Sequence, residues 1–312
     1  MTTLLLTHPA CLQHETGDYH PECADRLRAV NHILEHEDFL FLAREEAPRA
    51  TTQQLLRAHS MDHIDHILSL VPAAGEILPI DDDTFVSSHS SEAALRAAGA
   101  ICAAVEEVAA KRCRNAFCAV RPPGHHAERS AAMGFCLFSN AAIGALHARD
   151  ACGFRKVAVI DFDVHHGNGT QQILWDEAGM FYASTHQQDA YPYSGTPDEQ
   201  GQPGGGVIVN IPLPAGSGSD AFRLAYGDII LPRLRAFAPE FVIVSAGFDA
   251  HAADPMADLR LQVADFEWVT RELLRIAEDF CGARLVSVLE GGYDTRALAA
   301  CVASHVRALM EG

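Results

Sequence analysis

The chain has 312 residues, 48% of them hydrophobic and 21% charged, which provides enough apolar material for a substantial core. A net charge of −18 argues against nucleic-acid binding, because phosphate contacts need clustered Lys and Arg; it fits cationic substrates and plain solubility equally well. No apolar run approaches a bilayer span, MTTLLLTHPACLQHE lacks the basic start of a signal peptide, and nine scattered cysteines without a Cys-x-x-Cys pair read as reduced thiols, so a cytoplasmic protein is expected.

In chain order, HSMDHIDH (59–66) places His59 and His63 at helical spacing; without an acid or thiol arranged around them, they read as a solvated helix. Residues 90–112 open with serines and keep apolar side chains at helical spacing. A strand, NAFCAV (115–120), runs into RPPGHH, and His147 follows as a structural residue in a helical stretch. KVAVID (156–161), MFYAST (180–185) and GVIVNI (206–211) are further strands, with the Gly/Pro-rich surface loop SGTPDEQGQPGGG (194–206) before the last. A helix over 220–237, the strand FVIVSA (241–246), a helix over 263–280, the strand RLVSVLE (284–290) and a helix over 295–310 complete the series. Strands this apolar are covered on both faces. Their alternation with helices predicts an α/β fold, a three-layer sandwich with a mainly parallel central sheet, as one domain over 1–312.

In such sheets, sites form where the loops gather at the strands' carboxyl ends. Four strands end in polar, glycine-containing loops: RPPGHH, FDVHHGNG (162–169), GFDAH (247–251) and EGGYD (290–294). Asp161, Asp163 and His165 alternate, so an extended backbone directs them to one side. Asp163 and His165 offer two ligands for Zn²⁺ or Fe²⁺, and Asp249 could supply a third, leaving an open position for water. Singly, the Asp-x-Asp-x-His run is as readily a solvated turn, Asp249 a cap and Tyr293 a packed aromatic. Together with His125 and His126 they suggest amide hydrolysis, which needs a base for water, an acid for the departing amine and a donor, Tyr293, for the oxyanion. His20 and His186 receive no role.

These motifs resemble the zinc-dependent histone deacetylases and their bacterial amidohydrolase relatives. The likeness covers HPECADRL (20–27), DDDTFVSSHSSEAALRAAG (81–99), RPPGHHA, MGFCLFSN (133–140), VIDFDVHHGNGTQ, VSAGFDAHAADP (244–255) and LEGGYD; HHGNGT and LEGGYD look like the class II branch. The resemblance implies the arginase/deacetylase-like fold, with Asp163, His165 and Asp249 as zinc ligands and His126 as general base and acid. It makes His125 the electrostatic partner oriented by Asp161, Asn168 the partner of His126 and Tyr293 the transition-state tyrosine. It places Gly134 and Phe135 on one wall of an acyl-lysine tunnel and Tyr193 on the other. Structural K⁺ is implied beside backbone oxygens of Asp161, Asp163 and His165, with Ser184. Met256 follows Asp254-Pro255 where polyamine-specific relatives carry glutamate, and no substrate-clamping acid is matched near Ser87 and Ser88.

The expected activity is zinc-dependent removal of acetyl or another short acyl group from lysine side chains of a peptide or protein. Acetylpolyamines or other small acylated amines are the alternative substrates, and a non-catalytic acyl-lysine reader is the alternative from another class. A ureohydrolase would need a second metal-ligand set that the sequence lacks. Neither nucleic acid nor membrane is expected as a partner, and oligomeric state is not legible.

Overall fold

The computed structural model describes residues 2–312. In chain order its strands are β1 (Thr3–Thr7), β2 (Ala43–Glu46), the hairpin of β3 (Leu78–Pro79) and β4 (Phe85–Val86), β5 (Asn115–Cys118), β6 (Val157–Asp161), β7 (Met180–Gln187), β8 (Val207–Leu213), β9 (Phe241–Ala246) and β10 (Leu285–Leu289). All but the hairpin join one sheet of order β2-β1-β5-β10-β9-β6-β7-β8, in which every pairing is parallel. Helices Ser90–Ala109 and Asn140–Asp150 pack together, while Ala24–Ile33, Val263–Cys281 and Thr295–Glu311 form a second group. With layers on both sides, β9 and β10 are buried along their whole length, which is why their sequences carry no polar alternation. The mainly parallel α/β architecture is the one expected.

Two strands carry little sequence signal. The leucine run near the N-terminus is β1, threaded between β2 and β5, and too short to show a period. The edge strand β2 reads Ala-Arg-Glu-Glu and is largely exposed; charges on an edge oppose pairing with another chain. The helix expected over 220–237 is broken into Ser219–Leu224, a π-helical stretch Ala225–Ile230, and Leu231–Phe237. Pro232 explains the interruption: it cannot donate to the carbonyl four residues back, and its ring crowds that turn.

The order places β5, β10, β9 and β6 side by side. These are the four strands that end in His125-His126, Tyr293, Asp249 and Asp163-His165. Register aligns their ends, with Val288 opposite Cys118, Leu289 opposite Ala246 and Asp161 opposite Ser245. Loops far apart in sequence therefore open into one cleft.

Candidate active site

At the floor of the cleft, ligand atoms of the buried Asp163, His165 and Asp249 all lie within 4.8 Å of one another. Both carboxylates converge on His165 Nδ1, with Asp163 Oδ1 at 3.0 Å and Asp249 Oδ2 at 3.2 Å. Backbone groups fix them: Gly291 N–H donates to Asp163 Oδ2 at 2.8 Å, and Val164 N–H donates to Asp249 Oδ1 at 2.8 Å. Glycine is needed for that approach, since a Cβ at position 291 would lie 2.0 Å from Asp249 Oδ2.

The charge balance tests whether a cation fits. Two buried carboxylates share one imidazole, and Asp249 Oδ2 is left without a well-formed hydrogen bond. Burial, reinforced by the neighbouring Asp163, pushes the Asp249 carboxyl up to about 7. Against the opposing effect of its own burial, the same carboxylates hold His165 up at about 10. Excess negative charge, oxygen and imidazole donors and an orphaned oxygen suit a divalent cation.

The tandem histidines lie beside this cluster, their ring centroids 4.0 Å apart. His125 Nδ1 is 3.0 Å from Asp161 Oδ2, and its Nε2 faces Asp163 Oδ1 at 3.8 Å. Those carboxylates outweigh burial and raise the His125 imidazole well above its ordinary value. His126 Nδ1 instead meets the neutral Asn168 Oδ1 at 2.9 Å. Burial, then the nearby His125 and His165, lowers His126 well below its ordinary value. Two adjacent rings thus diverge because one meets carboxylates and the other an amide.

A cavity of about 140 Å³ reaches His126, one of the two rings, and is lined besides by Asp83, Gly134, Phe135, His165, Tyr191, Met256 and Tyr293. Phe135 and Tyr293 meet edge to face at 5.9 Å, and the Tyr191 ring lies 5.1 Å from His126. Burial holds the Tyr293 phenol well above its ordinary value, so it stays protonated.

Residues 20–309 match the histone deacetylase domain. The chain belongs to that family. It is 38% identical to the histone deacetylase-like amidohydrolase of Pseudomonas aeruginosa, over 88% of this chain and 72% of that protein. It is 37% identical to a probable deacetylase of Archaeoglobus fulgidus, over 94% and 82% respectively. Type-2 histone deacetylase 2 of Dictyostelium discoideum is 36% identical across 99% of this chain, which spans only 21% of that longer protein. The crystal structure of the HDA15 HD domain superposes with a TM-score of 0.92 at 34% identity, covering 100% of this chain and 89% of that one. Family membership supports a hydrolase acting on acylated substrates.

Within this deacetylase-family cleft, one expected position is corrected. Tyr193 does not line the cavity; it is 80% exposed, and Tyr191 forms the wall. A tight turn, with Tyr193 N–H donating to Ala190 O at 2.8 Å and φ of 62° at Tyr193, separates the two rings. Gly134, Phe135 and Met256 do line the cavity. Ser184 lies opposite Asp161 in the β6–β7 register, its hydroxyl 2.9 Å from His186 Nδ1.

His59 and His63 are not a solvated pair. Both are buried: His59 Nδ1 meets Glu128 O at 2.9 Å and its Nε2 accepts from Ser139 N–H at 2.9 Å, while His63 Nε2 meets Leu137 O at 3.0 Å. They brace the segment that follows the tandem histidines. His147 is buried against Glu106, and His20 buttresses Phe135 at 4.8 Å.

Three functional positions escaped sequence reasoning. Asp83 brings a carboxylate to the cavity, just before Thr84, whose hydroxyl accepts from Phe135 N–H at 3.1 Å. Its position in the Asp-rich stretch ahead of Phe85 was the available signal. Buried Glu290 accepts from Gly124 N–H at 2.7 Å and His125 N–H at 3.2 Å, holding the histidine loop from below. Arg26 donates to the carbonyls of Gly292 and Glu290 and lies 4.8 Å from the Tyr293 ring centroid, bracing that loop. Nothing in HPECADRL alone pairs Arg26 with residues so distant in the chain.

Proposed function

We propose that this protein is a zinc-dependent amidohydrolase that removes acetyl or another short acyl group from lysine side chains. The observation carrying the reading is the cavity of about 140 Å³ in which His126, His165 and Tyr293 meet beside the rings of Phe135 and Tyr191. Its small volume and aromatic lining suit an acyl-aminoalkyl chain, and it carries the polar groups an amide needs.

Asp163, His165 and Asp249 would hold the cation, proposed as Zn²⁺, with Fe²⁺ suited to the same donors; when bound it supplies Lewis acidity toward the amide carbonyl and acidifies water. Asp161 and Asn168 orient the two rings through their Nδ1 atoms. His126 Nε2 takes a proton from the attacking water, and the resulting imidazolium returns one to the departing amine. Charged His125 beside it offsets developing negative charge. Tyr293 donates its phenolic hydrogen to the carbonyl oxygen as the tetrahedral centre forms. Structural K⁺ is proposed at the backbone oxygens of Asp161, Asp163 and His165 beside Ser184.

Asp83 supports a second reading, a small acylated polyamine whose free ammonium group would pair with that carboxylate. Met256, uncharged at the cavity wall, favours the lysine substrate. The test is turnover of an acetyl-lysine peptide against N-acetylputrescine by zinc-loaded protein, with acetate as the product measured. Chelation should abolish turnover, and Tyr293→Phe should lower it roughly a hundredfold or more. Bound acyl-lysine without acetate release would leave only a reader.

A further inference from the structure

Beyond the residues that touch substrate, Glu128 stands out as a carboxylate tied to the histidine pair through one intermediary. Its Oε1 accepts from Asn168 Nδ2 at 2.9 Å, and Asn168 Oδ1 faces His126 Nδ1 at 2.9 Å. Glu128 is itself held: Gln172, one helical turn after Asn168, donates from Nε2 to Oε2 at 2.8 Å. Its backbone N–H donates to Ala131 O at 2.8 Å, and its carbonyl meets His59 Nδ1 at 2.9 Å. The fixed carboxylate lies beside an amide whose orientation decides which proton His126 carries.

An asparagine side chain can present either its oxygen or its NH₂ to an imidazole, the two being nearly equal in shape. With Oδ1 toward His126, Nδ1 carries the hydrogen and the Nε2 lone pair is free to accept a proton. The flipped amide would present NH₂ to Nδ1, which must then be an acceptor, so Nε2 would carry the hydrogen and could not act as base. Glu128 decides between them. Facing a carboxylate, Asn168 can present only NH₂; the flip would set carbonyl oxygen against carboxylate oxygen. Met133 Sδ, 3.3 Å from Nδ2, accepts the second amide hydrogen on the same side.

We infer that Glu128 is a positioning residue that locks the Asn168 amide and thereby sets the His126 tautomer. This rests on the deacetylase reading, in which His126 Nε2 accepts the proton. An aspartate at position 168 would offer only acceptors to His126 and need no such lock, while its other oxygen would meet the Glu128 carboxylate as a like charge. Dependence on Glu128 is therefore specific to an amide at that place.

The experiment compares Glu128→Gln, Glu128→Ala and Glu128→Lys in the wild-type and Asn168→Asp backgrounds, with metal content matched and folding checked by thermal melts. With Asn168 present, Glu128→Gln keeps an oxygen acceptor and should lose no more than about threefold in kcat. Glu128→Ala should lose about tenfold, and Glu128→Lys, which presents a donor, should lose the most, with KM within about twofold throughout. In the Asn168→Asp background, where position 168 sets a second carboxylate against Glu128, the ranking should invert, with Glu128→Gln and Glu128→Lys more active than the Glu128 parent. On ¹⁵N-histidine-labelled protein, His126 should carry its hydrogen on Nδ1 in the wild type and gain an Nε2–H population in Glu128→Lys. If Glu128→Ala fails to fold, the Gln and Lys variants carry the test. Equal losses in both backgrounds, or an unchanged tautomer in Glu128→Lys, would overturn the inference. Wild-type protein inert toward every acylated amine would instead remove the deacetylase reading, while the tautomer measurement still decides the role of Glu128.

Discussion

Replacing Gly134 by alanine tests how tightly the cavity wall is fitted to His126. Gly134 has a φ of 55°, and an added Cβ would sit 2.5 Å from His126 Cδ2, 2.8 Å from Cγ and 3.0 Å from Cβ. Ordinary carbon contacts begin near roughly 3.5 Å, so ring or backbone must move by about 1 Å. A shift of that size in a group that must meet water and amine in line costs roughly a hundredfold in turnover. The left-handed backbone adds about 1 kcal/mol of destabilisation. Gly204→Ala separates the two effects: its φ is 87° but nothing lies within 4 Å of the new methyl, so it should lose similar stability and no activity. The assay is kcat/KM on an acetyl-lysine peptide with matched metal content, alongside thermal melts. Gly134→Ala retaining more than about a third of wild-type turnover would refute the argument that this wall positions the ring.

Other side chains offer independent checks. Tyr191→Ala should raise KM about tenfold by opening the cavity, whereas Tyr193→Ala, already in solvent, should leave both constants within about twofold; the opposite ranking would restore Tyr193 to the wall. Buried Glu22 pairs with two buried guanidiniums, lying 2.7 Å from Arg121 Nη2 and 3.0 Å from Arg26 Nη1. Glu22→Ala strands both charges and should destabilise by about 3–5 kcal/mol in urea titration; a loss under about 1 kcal/mol would sink that reading. Burial pulls His14, His59, His186 and His305 from an ordinary 6.5 down to about 3. Between those values the unfolded chain binds protons that the native state does not, so stability falls as pH falls. Each such histidine contributes about 1.3 kcal/mol of loss at about pH 5.5 relative to neutrality. His305→Gln should flatten the melting-temperature profile between about pH 7 and 5.5 by one such increment, and an unaltered slope would contradict it.

Much of the architecture was legible because the signals are local. β9 and β10 announce themselves as runs that are apolar but for a single serine each, and the alternation in Asp161-x-Asp163-x-His165 follows from strand geometry. Other features had no local signal. The five residues of β1 are too few to show a period, and β2 looks like surface because it forms the sheet's edge. His59 and His63 read as solvated until the chain beyond the tandem histidines folds over them. In YPY, the resemblance put Tyr193 on the wall; a turn presents Tyr191 there instead.

By itself the sequence determined that β5, β6, β7, β9 and β10 are strands covered on both faces, and which polar residues stand at the ends of four of them, since nearest neighbours along the chain set period and polarity. Tertiary structure decided that β5, β10, β9 and β6 are neighbours, that Asp249 meets His165, and that Glu128 reaches Asn168. Those meetings depend on how apolar faces scattered over the whole chain are buried together, a choice no short window of residues contains.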